Sequence, residues 1–229
     1  MTRRDPQAGM TIIEVMIAIA IMVAMMTIGW RTINASSDAS YAWGKLAERD
    51  HELRMALDRV AADLEAAYLS KNEDENATHH RTLFHVRKTG KVPETRFSTL
   101  SHRVLWSDAH ESEQTQVFYT AMVDKNDSSK TNWVRREQRR LSNENPEDEA
   151  ADLDILVRDV DKVEILMWDW RDEKWVEEWD TTASDAEKGR LPTRVRIVLT
   201  VKTSGGNEYK LTTEARILLQ EPLNSVTTR

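Results

Sequence analysis

The chain of 229 residues contains no cysteine. Disulfides, thiolate catalysis and cysteine-ligated zinc are therefore excluded, and an exported domain of this sequence must hold together by its core alone. A surplus of basic residues is also missing. The formal net charge is −7 and the isoelectric point about 5.5, the opposite of what a phosphate-binding surface needs, so no nucleic acid is expected as a partner. No P-loop, no internal repeat and no local Ser/His/Asp set or acid–base pair is present. The chain reads as a non-enzyme with no cofactor. Its mean hydropathy of −0.61 averages two unlike parts, one almost purely apolar and the other strongly polar.

The apolar part lies at residues 10–30, MTIIEVMIAIAIMVAMMTIGW, with Glu14 its only charge. As an α-helix such a run spans roughly 30 Å, the hydrocarbon thickness of a bilayer. Arg3 and Arg4 precede it and should remain cytosolic, which sends the rest of the chain to the periplasmic side. An ordinary secretory signal would have a shorter apolar core followed by a small-residue cleavage site. Here the small residue that stands out, Gly9, comes before the run, and only the weak match of Asn34 to Ser36 follows it. A plain signal anchor accounts for the length and the arginines but not for Glu14. A carboxylate in the first turns of a membrane helix is costly and implies a function, unless it sits near enough to the headgroups to stay hydrated.

Beyond the run, Leu46, Leu53, Leu57, Val60, Leu64 and Tyr68 recur at spacings of seven, four and three, one apolar stripe of an amphipathic helix. Glu48, Arg49, Asp50, Glu52, Arg54, Asp58 and Arg59 cover the other faces and read as solvated. The helical pattern ends in the polar stretch that begins at Lys71. Strand patterns then follow at 82–87, 95–100, 115–123, 132–139, 163–170, 174–179, 193–203 and 208–219. Ser204-Gly205-Gly206-Asn207 predicts a hairpin between the last two, while 124–131 and 141–152 read as polar connections. The expected fold is α+β: a long N-terminal helix, half in the membrane and half amphipathic, packed on a mostly antiparallel sheet. The expected organisation is a short segment 1–9 before the run, a transmembrane helix 10–30, an amphipathic stalk helix 31–71, and a β-rich periplasmic domain 72–229.

Gly9-Met10-Thr11-Ile12-Ile13-Glu14 resembles the prepilin signature, with Met10 where Phe is usual. The resemblance implies that a prepilin peptidase cuts between Gly9 and Met10 and that the new Met10 amine is N-methylated. It also implies that Glu14 of an entering subunit neutralises the amine of its neighbour in a filament. Within this superfamily the chain resembles minor pseudopilin J of type II secretion, through residues 53–64, 96–102, 133–137 and the tryptophan-rich run 167–197. That implies I-type and K-type minor pseudopilin partners, with the H-type nearby and the major pseudopilin below, in an inner-membrane-anchored tip complex that primes pseudopilus assembly for export of folded proteins. The K-type subunit typically lacks the Glu and carries a large extra domain, and neither trait fits here. A minor pilin of a type IV pilus, serving adhesion, twitching or DNA uptake, is the alternative that the N-terminus equally allows.

Trp168, Trp170, Trp175 and Trp179 are expected to pack across paired strands, some of them at subunit contacts. No metal is expected. His79, His80 and His85 lack further ligands, and the acidic groups at 73–75 and 147–154 lack the spacing and glycine of an EF-hand.

Overall fold

A computed structural model describes residues 10–73, 80–102, 106, 112–138, 152–183, 186–203 and 206–224. The chain divides into two units, residues 1–50 and 51–229.

Helix α1 covers Ile12–Glu65. In the first unit its apolar side chains, from Ile12 to Ile28, are all exposed, and its most apolar 18 residues have a mean hydropathy of 2.4 with none buried within the protein. The threonine hydroxyls of this stretch donate within the helix, Thr27 to the Val23 carbonyl at 2.7 Å and Thr32 to the Ile28 carbonyl at 3.0 Å. The hydroxyls of Thr27 and Thr32 are thereby satisfied within the helix. Leu46, at the head of the predicted stripe, is exposed in this unit.

In the second unit Leu53, Leu57, Val60 and Leu64 of the same stripe are buried. The helix ends at Glu65, six residues before the expected 71. The chain leaves it because backbone groups transfer to the sheet: the Tyr68 amide donates to the Ser98 carbonyl and the Leu100 amide to the Ala66 carbonyl, both at 3.1 Å, and Ala67 bridges to Thr99. Tyr68 stays buried outside the helix, which is why the apolar spacing overruns the helical backbone.

Ten strands follow: β1 Phe84–Arg87, β2 Glu94–Thr99, β3 Thr115–Val123, β4 Thr131–Gln138, β5 Asp152–Val157, β6 Lys162–Asp169, β7 Lys174–Val176, β8 Trp179–Asp180, β9 Arg194–Lys202 and β10 Glu208–Arg216. They form two antiparallel sheets, β5-β4-β3-β2-β1-β8 and β10-β9-β6-β7. The fold is the expected α+β arrangement with two sheets in place of one. β9 and β10 pair as the hairpin anticipated from the Gly-Gly turn, in which Gly206 takes a φ of 78°, a backbone state that glycine adopts without steric cost. Two departures stand out. β5 lies where no strand pattern was read, because its outer residues Leu153 and Ile155 are half exposed and its sequence alternates acid with apolar at an edge. The expected strand 174–179 is two pieces in different sheets, since Trp179 turns away to pair with Val86 while Trp175 stays opposite Trp168.

On the inner face of the first sheet, Phe84, Phe97, Tyr119 and Trp133 form a row with ring centroids 5.5, 5.9 and 6.0 Å apart. These rings share one core with the buried helix leucines and with Ile165, Met167, Val195 and Ile197 of the second sheet. Asp169 and Arg190 tie the second sheet to the loop before β9 through two bonds of 2.7 and 3.1 Å. Trp179 of the first sheet donates its indole N–H to the Arg190 carbonyl at 2.8 Å, with the Arg190 guanidinium over its ring. Phe97 sits at the middle of the stacked row with no exposure. Phe97→Ala should therefore lower stability by about 3–5 kcal/mol, read as a reduced urea midpoint of the detergent-solubilised chain.

Candidate functional site

Two polar constellations stand out from this apolar framework. The first is at the start of α1. Thr11 precedes the first helical residue and acts as its N-cap. Its hydroxyl oxygen accepts from the Glu14 amide at 3.3 Å, and the Glu14 carboxylate accepts from the Thr11 amide at 3.4 Å. This is a reciprocal capping box, which satisfies two otherwise orphaned amides and places the carboxylate where the helix dipole favours an anion. The Thr-x-x-Glu spacing is visible in the sequence, although the resemblance assigned Glu14 only to subunit pairing. Met10 and Glu14 are both exposed, open to a group outside the chain. Gly9, the expected cleavage residue, lies outside the described residues.

The second constellation is buried in the domain and was not anticipated. Asp63, on the helix face turned inward, is fully buried. One carboxylate oxygen accepts from Arg135 Nε at 2.6 Å and from the Tyr119 hydroxyl at 2.5 Å, and the other accepts from Ser101 at 2.6 Å. The Asp63 backbone carbonyl accepts from the Thr99 hydroxyl at 2.8 Å. Arg135 Nη1 donates to Glu137 at 2.7 Å, and His102 Nδ1 lies 2.8 Å from the other Glu137 oxygen. At the rim, Arg59 stands 3.5 Å from Asp63 and 4.0 Å from Glu137.

The electrostatics follow from burial. Desolvation, aided by the Asp63 charge, holds the Tyr119 hydroxyl far above its ordinary pKa, so it serves as a donor. Burial by itself would lower the Arg135 guanidinium, but Asp63 and its other partners outweigh it and move the pKa upward. Burial alone would likewise raise Glu137. The hydrogen bond and charge of Arg135, with His102 adding to them, leave its carboxyl below the ordinary value. What the cluster can do chemically is fix the helix to β3, β4 and the end of β2.

The candidate metal ligands behave differently. Glu73 spends its carboxylate on the Arg81 and Thr82 amides and the Thr82 hydroxyl, at 3.1, 2.8 and 2.7 Å. Asp154 is exposed and 3.9 Å from Arg135. His79 and the acids at 74–75 and 147–149 lie outside the described residues. Among the described residues no group of three or more His, Asp or Glu side chains is placed to hold a metal ion.

An apolar, capped N-terminal helix that enters an α+β domain with its own buried core defines a membrane-anchored subunit of the prepilin-like class. The chain belongs to the family described as type II secretion system (T2SS), protein J, whose model matches residues 31–209. The prokaryotic N-terminal methylation motif matches residues 4–30. It is thus a minor pseudopilin of type II secretion. A chain in the crystal structure of the GspK-GspI-GspJ complex from the enterotoxigenic Escherichia coli type 2 secretion system is similar to it at 13% identity, over 73% of this chain and 97% of that one, with a TM-score of 0.48. No curated protein matches the chain.

Removing one member of the buried cluster strands the others. Arg135→Met should cost about 3–5 kcal/mol, because Asp63 is left as an uncompensated buried charge, and equilibrium unfolding checks this. Glu137 supplies a pH dependence. Its folded pKa is depressed, so its contribution is complete above the ordinary value near 4.5 and is lost as pH falls through the lower folded value. Thermal unfolding should be flat at neutral pH and fall below about pH 4.5, and Glu137→Gln should flatten that acid limb.

Proposed function

We propose that this chain is made with a leader of residues 1–9, cut between Gly9 and Met10 by a prepilin peptidase and N-methylated on Met10. It then serves in the pseudopilus tip complex with I-type and K-type partners, the H-type nearby and the major pseudopilin below. The single observation that carries this is the presence on one chain of the methylation motif at 4–30 and the protein J match at 31–209. The type IV pilus alternative shares only the first of these.

In this reading the apolar helix anchors the subunit in the inner membrane with residues 72–229 in the periplasm, as Arg3 and Arg4 favour. The chain acts as a structural subunit and not as a catalyst. With partners it primes a filament that drives folded proteins through the outer membrane, and a cytosolic ATPase supplies the energy. Cleavage creates a cation at Met10, while the capping box holds the Glu14 carboxylate at the very start of the helix, within a turn of that amine. In the assembling filament Glu14 exchanges its contact with the Thr11 amide for the amine of a neighbouring subunit, which sets axial register. Neither charge then remains alone in an apolar surrounding.

Deletion of the gene should leave extracellular enzymes in the periplasm with surface piliation intact. Lost piliation with normal secretion would overturn the assignment in favour of a type IV minor pilin. Glu14→Ala should be processed normally yet enter the pseudopilus roughly a hundredfold less, since the neighbour's amine is stranded. Immunoblots of processed subunit and of sheared filaments measure the two steps separately.

A further inference from the structure

The second sheet turns one face away from the core, and that face is built from a narrow set of residues. Strand register places Arg216 of β10 beside Arg194 of β9. On the same face the next strands contribute Trp168 of β6 and, paired with it, Trp175 of β7. The row therefore crosses all four strands. One step along, Glu214 pairs with Arg196 and Arg196 with Leu166, and one step further Thr212 pairs with Val198.

The side chains of this face interlock. The two indoles meet edge to face at 5.3 Å. The Arg194 guanidinium lies 5.2 Å from the Trp168 ring and 5.7 Å from the Trp175 ring, and that of Arg196 lies 4.2 Å from the Trp175 ring. Both arginines share a single carboxylate, Glu214, at 3.2 to 3.3 Å. Arg216 is exposed and has no ion-pair partner among the described residues. Over these rows three arginines face two acids, Glu214 and, opposite Val198, Glu164, whose carboxylate is paired with Lys162 at 2.6 Å, in a chain whose net charge is −7.

Cross-strand packing accounts for the contact between the indoles. It does not account for an excess of guanidinium placed 4.2 to 5.7 Å from half-buried rings in an acidic protein. Stacking restricts Arg194 and Arg196 in advance, Glu214 takes part of each N–H edge, and the remaining donors, with those of Arg216, can take further carboxylates. Trp and Arg are also the residue types that dominate binding energy at protein interfaces.

We infer that this face, centred on Trp168, Trp175, Arg194 and Arg216, is a docking surface for a carboxylate-rich segment of another subunit in the same assembly. The partner's acids bind the guanidinium edges, and its apolar side chains lie on the two indoles and Leu166. Charge complementarity selects this occupant: a basic or neutral segment would leave the unbalanced arginines desolvated and unpaired.

The proposal rests on the assembly reading, and its test separates the two. Thr212, exposed on this face, is replaced by a photo-cross-linking amino acid in the full-length chain, in cells whose secretion depends on it. After irradiation the joined peptide is identified by mass spectrometry. The expected result is an adduct with an Asp/Glu-rich segment of a partner subunit. Its yield should drop at least about tenfold in Arg194→Glu/Arg216→Glu, with thermal unfolding of the chain unchanged. Reversing the acids of the joined segment to lysine should restore it. Three results would each overturn the surface: no adduct from a secretion-competent chain, an adduct with a segment lacking surplus acid, or an adduct that survives the charge reversal. Failure of the assembly reading would show elsewhere, as normal secretion in the deletion strain.

Discussion

Asp63 and Arg135 stand 72 residues apart in the chain and 2.6 Å apart in the fold. Most polar groups around them make that contact tolerable, although Arg135 Nη2 is buried without a hydrogen bond. Burying two charges costs several kcal/mol each, and mutual attraction offsets this only when the remaining hydrogen-bonding sites are filled. Tyr119, Ser101 and Glu137 fill most of them. The consequence is positional. Apolar packing alone tolerates a helix that slides or rotates by part of a turn, whereas a carboxylate that must meet both a guanidinium and a phenol tolerates neither. The cluster selects one seating of residues 51–65 on the sheet, and the aromatic row from Phe84 to Trp133 then packs beneath it.

The N-terminal part of the chain obeys a harsher solvent with simpler means. Its hydroxyls donate to carbonyls one turn back, and its first turn closes on itself through Thr11 and Glu14. In the proposed assembly one carboxylate serves two partners in succession, its own backbone first and a neighbour's amine afterwards. The same economy appears in the domain, where Arg190 both pairs with Asp169 and covers the Trp179 ring. The tryptophans divide accordingly. Trp179 and Trp133 lie in the core, Trp168 and Trp175 pave an outer face, and Trp170 is exposed. Identical side chains within a dozen residues thus serve packing in one case and a surface in another.

Three stretches that carried the resemblance to protein J, residues 53–64, 96–102 and 133–137, converge on the buried cluster. They supply Asp63, then Thr99, Ser101 and His102, then Arg135 and Glu137. The fourth, 167–197, carries the Asp169 clamp and much of the outer aromatic face. Stretches that look loosely similar one at a time are held together by a single charge arrangement, which no stretch displays by itself.

What the sequence determined alone is what depends on near neighbours. The apolar run, its lone Glu14 and the β9–β10 hairpin are local patterns of hydropathy, spacing and turn chemistry, and they were legible because a helix or a hairpin forms between residues close in the chain. Most strands were legible for the same reason, with their ends displaced by at most three residues. The end of α1 was not, because Tyr68 keeps the apolar spacing after its amide has left the helix for Ser98. Edge strand β5 was hidden by its half-exposed alternation, and Trp179 belongs to a different sheet from Trp175 only because Val86 is there to receive it. Above all, Asp63 and Arg135 carry no local sign of their pairing. Asp63 stands between Ala62 and the buried Leu64, Arg135 in a strand of mostly buried residues, and only the closure of helix on sheet, which brings distant residues into a space without solvent, decides that these two must pair.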